Sequence, residues 1–269
     1  MKTYIFTRLN VKCAEFRELT DEYCKYRLDL YKISTLKSIK NQTNQDFINI
    51  VVSDISLSDE MKDYTNSICD NVIYVDYENK EWNHKHISEL LAEWNTNNER
   101  ICTINIDSDD LLHSDFVNNV YEESNKLTSQ ELPGLIFCKK HYLLSEKRGF
   151  DIIIPDFINS NLAFIEDKKP YETCWRRGHA NMNEQSKTIV YDNSVPMCML
   201  VHATNYCSRY FDPYRSCEKI FINLKDKYGI SQSEVLEFLT KDLPEQFIKD
   251  EEDLRNIRRS KSNKNKPKV

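Results

Sequence analysis

Glycine is nearly absent from this sequence, with only four residues in 269. That scarcity removes the Gly-rich phosphate loops on which many nucleotide-binding folds depend, and neither a GxGxxG nor a GxxxxGK stretch occurs. The nine cysteines are odd in number and contain no CxxC pair, so neither a disulfide framework nor a zinc ribbon is indicated. Reduced thiols in a cytoplasmic protein are the expectation. No apolar run approaches the roughly 20 residues needed to cross a bilayer. The opening Met1-Lys2-Thr3-Tyr4-Ile5-Phe6-Thr7-Arg8 is too short an apolar stretch for a signal peptide. A basic folded surface is also lacking. The net charge is −6, and seven of the basic residues are gathered after Leu254, where no acid occurs. An acidic body with a basic tail is not the profile of a nucleic-acid binder.

What is present is a core-forming composition, 40% apolar and 11% aromatic, in a chain long enough for one large domain with a small appendage. The first hundred residues alternate strand and helix patterns. Short apolar runs at Thr3–Phe6, Phe47–Val52, Asn71–Val75 and Ile101–Ile106 read as strands. Between them, helical spacing is expected over Glu15–Ile39, Ser58–Ile68 and His86–Trp94. That rhythm implies a parallel sheet with right-handed crossovers. Beyond Asp110 the expectation is a helix over Phe116–Leu127 and a strand over Leu135–Leu144. Extended pieces at Leu162–Ile165, Glu172–Trp175 and Met197–Val201 add antiparallel strands. From Tyr214 the chain turns helical, with Gly229 separating two helices, Ser231-Gln232-Ser233-Glu234 as a capping box, and Pro244 opening a third helix.

One motif carries chemistry. The strand at 101–106 runs directly into Asp107-Ser108-Asp109-Asp110. Ligands of parallel sheets bind where strands end, and three carboxylates in four residues repel one another unless a positive group sits between them. A hard divalent cation meets that need, and Mg²⁺ or Mn²⁺ takes one or two carboxylates together with substrate phosphates. A plain loop whose Asp110 or Ser114 caps the next helix is the structural alternative. The position directly after a buried strand favours the metal.

Further segments give the cluster a context. Thr7-Arg8-Leu9-Asn10-Val11, Gln42-Thr43-Asn44-Gln45-Asp46-Phe47 and Asp107-Ser108-Asp109-Asp110 occur in that order. Glu166 in Leu162-Ala163-Phe164-Ile165-Glu166, then His179, then Val201-His202-Ala203-Thr204-Asn205, follow them. Together, over roughly residues 3 to 206, they resemble the bacterial rhamnosyltransferase family of GT-A type glycosyltransferases. The first motif there more often reads TRFN and the last HGGN, which leaves the sugar open.

The resemblance implies an α/β GT-A type mixed sheet flanked by helices over residues 1–213. A C-terminal helical appendage over 214–254 and a basic, disordered tail over 255–269 complete the expected organisation. It further implies that Asp107 serves the donor ribose and the metal, with Asp109 the direct metal ligand and His202 a third protein partner. Thr7, Arg8, Asp54 and Arg100 are expected in the nucleotide pocket. An inverting transfer needs a base for the acceptor hydroxyl, and Glu166 is the first candidate, with His179 as well as Asp167 and Glu184 behind it. Trp175 with Arg176 and Arg177 is a candidate acceptor contact. The implied activity is Mn²⁺- or Mg²⁺-dependent inverting transfer of a deoxyhexose such as rhamnose, from a nucleoside diphosphate sugar to a glycan or lipid-linked glycan. A peripheral contact of the tail with the inner face of the membrane fits such an acceptor. The alternatives are a non-catalytic glycan-binding or scaffold protein on the same fold, and a sugar nucleotidyltransferase. The latter normally carries a Gly-rich basic loop after the first strand, which this sequence does not have.

Overall fold

A computed structural model describes residues 1–12, 19–76, 80–138, 141–145, 149–153, 161–175, 182, 184, 186–191, 196–201 and 224–240. The first four strands are β1 (Lys2–Arg8), β2 (Ile48–Asp54), β3 (Val72–Val75) and β4 (Ile101–Asp107). They lie side by side in the order β3-β2-β1-β4, all parallel. The β-branched and aromatic residues of central β1 and β4 are buried on both faces, as a parallel sheet covered by helices requires, while Ile48 of β2 and most of edge strand β3 are more open. Each strand ends in or just before a polar loop, so Arg8, Asp54 and Asp107 all fall at the carboxyl edge.

Beyond β4 the sheet continues with β9 (Leu162–Glu166), β6 (Gly134–Phe137) and β10 (Thr188–Tyr191). β9 is antiparallel to both of its neighbours, pairing Ile101 with Glu166 and Asn105 with Leu162. A second sheet has the order β5-β11-β7-β8, formed by β5 (Asp110–Leu111), β11 (Met197–Val201), β7 (His141–Ser145) and β8 (Gly149–Ile153). The result is the expected mixed sheet flanked by helices.

The helices are α1 (Asp21–Ile33), α2 (Thr35–Lys40), α3 (Asp59–Ile68), α4 (Lys80–Trp94), α5 (Phe116–Lys126), α6 (Leu224–Tyr228) and α7 (Gln232–Leu239). One face of the large sheet packs Tyr4, Phe6, Ile50, Val52 and Phe164 against Ile87 and Leu91 of α4. The other packs Ile5, Cys102, Ile104 and Ile106 against Phe116, Val117 and Val120 of α5. The small sheet is covered by α6 and α7, whose Tyr228, Val235 and Leu239 join Leu30 of α1, Leu144 and Leu200 in one cluster.

Several expectations need correction. The single helix expected over 15–39 is broken at Ser34, whose hydroxyl donates to Leu30 O at 2.5 Å. The strand expected over 135–144 is two strands, β6 and β7, belonging to different sheets. Residues 173–175 form a turn rather than a strand, and β8 and β10 were not anticipated. Gly229 does separate two helices. Its φ of +70° suits glycine, and an added Cβ would lie 2.5 Å from the Asn41 side chain. Ser231 caps α7 by accepting from Glu234 N at 3.3 Å. The Glu234 carboxylate meets Lys37 of α2 at 2.7 Å. The helix expected from Pro244 and the basic tail lie outside the described residues.

Candidate functional site

The acidic turn sits where β4 leaves the large sheet and enters the small one. Asp107 is the last residue of β4 and the register partner of Arg8. Asp110, three residues later, opens β5 and pairs with Met199 of β11. Ser108, Asp109 and Asp110 are buried, at 4%, 8% and 4% exposure, so their charges and hydroxyl must find partners within the protein.

Asp109 and Ser108 find a partner in Arg27 of α1. Its Nη1 donates to Asp109 Oδ2 at 3.2 Å and its Nη2 to Ser108 Oγ at 2.6 Å. Burial works against the guanidinium charge, but Asp109 and Tyr23 more than offset it, so its pKa lies above the ordinary arginine value. Arg27 was not anticipated from sequence. Tyr23, Arg27 and Leu30 stand at helical spacing on one face, and an arginine between apolar residues there was the available signal.

The backbone of the turn is held by a buried polar stripe that begins on α2. Thr35 Oγ1 donates to Asp110 O at 2.7 Å, and Ser38 Oγ accepts from Leu112 N at 3.1 Å. Gln42 Nε2 donates to His113 O at 2.8 Å, while its Oε1 accepts from Val117 N at 3.0 Å. Thr43 N donates to Ser114 O at 2.8 Å. The Gln42-Thr43 motif therefore ties the acidic turn to the start of α5.

On the opposite face of the sheet, the chain after β9 climbs along β4 toward the same edge. Cys174 N donates to Thr103 Oγ1 at 2.9 Å, and the Trp175 indole N–H donates to Asn105 Oδ1. The Trp175 ring lies 5.2 Å from that of Phe6, and the Arg8 guanidinium stands 5.4 Å from its centroid. Trp175 thus supports Arg8 beside Asp107.

Arg8, Asp54, Asp107 and Asp109 share the carboxyl edge, but other candidates do not join them. Thr7 is fully buried beneath that edge. Asp54 is at the edge, but its carboxylate organises its own loop, accepting from Lys12 N at 3.2 Å, Ser56 N at 2.9 Å and Ser56 Oγ at 2.6 Å. Arg100 lies at the amino end of β4, about 23 Å from Asp107 at the usual strand rise. There it donates to Ser124 O at 2.6 Å and Leu127 O at 3.0 Å, capping the end of α5.

Glu166 is the main correction. Because β9 is antiparallel, its last residue falls beside Ile101, at the edge opposite Asp107. Its carboxylate accepts from Glu172 N at 2.7 Å and Thr173 N at 2.9 Å, and Glu166 is 4% exposed. A base there cannot reach an acceptor bound at the carboxyl edge. His179, His202, Arg176 and Arg177 lie outside the described residues.

No group of three or more His, Cys, Asp or Glu side chains among the described residues converges to hold a metal. The oxygen donors of Asp107 and Asp109 nevertheless suit a hard cation that completes its shell with donor phosphates. No helix among the described residues is long and apolar enough to cross a membrane.

A family model described as "Putative rhamnosyl transferase" matches residues 14–212. No curated protein matches. The chain is similar to the crystal structure of S. aureus TarS 1-349, at 11% identity and a TM-score of 0.42, covering 100% of this chain and 76% of that one. A longer S. aureus TarS structure aligns at 13% identity and a TM-score of 0.27, over 54% of this chain and 21% of that one. The chain thus spans about a fifth of that longer structure. A "putative nucleotide-diphospho-sugar transferase" from Desulfovibrio desulfuricans G20 aligns at 8% identity and a TM-score of 0.39, over 88% of this chain and 95% of that one. With its family model matched over most of its length, the chain belongs to the putative rhamnosyl transferase family.

Proposed function

We propose that this chain transfers a sugar, a deoxyhexose such as rhamnose, from a nucleoside diphosphate donor to a glycan or lipid-linked glycan acceptor, with inversion at the anomeric carbon. The observation that carries the reading is the placement of Asp107 and Asp109 at the carboxyl end of central β4, with Arg8 alongside. Asp109, Asp107 and His202 would hold Mn²⁺ or Mg²⁺ together with the donor diphosphate. β11 pairs antiparallel with β5, Cys198 opposite Leu111 and Met199 opposite Asp110, so it runs back toward Asp109 and leads into His202. The cation would supply charge neutralisation for the departing diphosphate.

The remaining tasks fall to the chain itself. Arg8 pairs with donor phosphate, Asp107 accepts from the ribose, and Asp54 stands at the nucleobase end of the pocket. With Glu166 at the far edge, the base for the acceptor hydroxyl is assigned to His179, four residues beyond the Trp175 that reaches the carboxyl edge. The basic tail would hold the enzyme near an anionic membrane that displays the acceptor.

The test is Asp109→Ala, assayed by donor turnover and by thermal shift with UDP, dTDP and GDP, each with and without Mn²⁺. Turnover should be abolished and the metal-dependent nucleotide shift lost. Unchanged turnover in Asp109→Ala would overturn the metal-assisted mechanism built on Asp109, whereas a wild-type protein that responds to no nucleotide would favour a non-catalytic glycan-binding protein.

A further inference from the structure

The Arg27–Asp109 pair joins α1 to the acidic turn across 82 positions of sequence. Both side chains are largely enclosed, at 13% and 11% exposure. An enclosed ion pair of this kind adds little net stability, because desolvation of both charges offsets their attraction. Leu28, Leu30 and Tyr31 already anchor α1 in the core. Arg27 thus needs a reason other than holding the helix in place.

Its position supplies one. Arg27 already neutralises the carboxylate that the functional reading assigns to the metal, and its second N–H group fixes Ser108 between the two aspartates. A cation approaching Asp109 alone would meet a guanidinium within the same enclosed space. A cation arriving with a diphosphate brings negative charge that satisfies both it and Arg27. Guanidinium is well suited to that exchange, since it stays charged and pairs with either carboxylate or phosphate.

We propose that Arg27 is the resident counter-ion of Asp109 and makes metal uptake conditional on the donor diphosphate. This rests on the glycosyltransferase reading above. Arg27 acts here as a positioning residue, ordering assembly of the site.

The experiment is a Mn²⁺ titration followed by electron paramagnetic resonance, using the full chain with and without UDP, dTDP or GDP. Wild type, Arg27→Gln and Arg27→Lys are compared. Glutamine can keep a hydrogen bond to the turn without the charge, and lysine keeps the charge without the fork. Wild type should take up Mn²⁺ weakly alone and at least about tenfold more tightly with the nucleotide that it recognises, the range of ordinary site coupling. Arg27→Gln should bind Mn²⁺ alone about tenfold more tightly than wild type and lose most of the nucleotide effect, while Arg27→Lys retains it. Circular dichroism confirms that each variant is folded, and a misfolded Gln variant leaves the Lys variant to decide. Loss of the nucleotide effect in folded Arg27→Lys overturns the proposal, because the charge is still present. So does a folded Arg27→Gln with wild-type behaviour, or one that loses Mn²⁺ binding with and without nucleotide. If wild type takes up Mn²⁺ equally with and without a nucleotide that the thermal shift shows to bind, this inference is overturned and the glycosyltransferase reading stands; if no nucleotide binds at all, that reading fails and this inference falls with it.

Discussion

The Glu166 carboxylate and the Thr173 backbone form a clamp at the amino edge of the sheet. Glu166 Oε1 accepts from Thr173 N at 2.9 Å, and Thr173 sits at φ +58°. That conformation is costly for a β-branched residue and persists only where its surroundings enforce it. The clamp turns the chain so that Cys174 and Trp175 run up the face of β4 toward Arg8. Glu166 therefore acts on the carboxyl edge through architecture, from about 20 Å away at the usual strand rise.

This sets a clear expectation for Glu166→Gln. Removing a general base costs about 10²–10⁴ in rate. Weakening a buried acceptor instead costs about 1–3 kcal/mol of stability. The variant should lose thermal stability in that range and keep turnover within about tenfold of wild type. A hundredfold loss of kcat with an unchanged melting temperature would restore Glu166 as the base.

The contrast explains what could be read without coordinates. The parallel half was legible because β-branched runs such as Ile50-Val51-Val52 end in polar residues, which marks both strand and carboxyl edge. Leu162-Ala163-Phe164-Ile165 is equally legible as a strand, but its residues carry no record of direction. Glu166 was favoured because it ends that strand, but the end of an antiparallel strand falls at the amino edge, beside Ile101. Arg100 was misplaced for a related reason, since it precedes β4 and so belongs to the amino edge. Arg27 was hidden differently, because nothing local links it to a turn 82 residues away. The division of Leu135–Leu144 between two sheets likewise depends on partners distant in sequence.

Gln42 offers a test of how strongly the acidic turn depends on α2. Its amide serves Ser38 O, His113 O and Val117 N from a site 4% exposed. Gln42→Ala should destabilise the fold by about 2–4 kcal/mol, the range for breaking a buried hydrogen-bond network. It should also weaken metal-dependent nucleotide binding, since Gln42 secures the segment leading from Asp110 into α5. Chemical denaturation together with the nucleotide thermal shift checks both effects. A stable variant with wild-type nucleotide response would show that the turn is held elsewhere.

Trp175 couples Arg8 to β4 through two separable features, the indole N–H on Asn105 and the ring beneath the guanidinium. Trp175→Phe keeps a ring and loses the bond, at a cost of about 1 kcal/mol. Trp175→Ala loses both and leaves Arg8 without its support. The donor KM should therefore rise severalfold at most in the Phe variant and more than about tenfold in the Ala variant. Equal effects of the two substitutions would assign the role to the N–H group alone.

The buried thiols predict how stability varies with pH. Burial raises Cys24, Cys69 and Cys174 to about 12, and it pushes Cys102 and Cys198 well above the ordinary thiol range. All five are buried and free of disulfides. Between pH 9 and 12 the unfolded chain loses thiol protons that the folded chain keeps, so stability falls as pH rises through that window. Below about pH 8 the thiols are largely protonated in both states and contribute little slope. Urea denaturation at pH 6, 7, 8, 9, 10 and 11 should show a flat region followed by a steady decline. A thiol reagent at pH 8 should leave these five cysteines unmodified until urea unfolds the protein. Rapid labelling of Cys102 or Cys174 in the folded protein at pH 8 would contradict their enclosure on the two faces of the sheet.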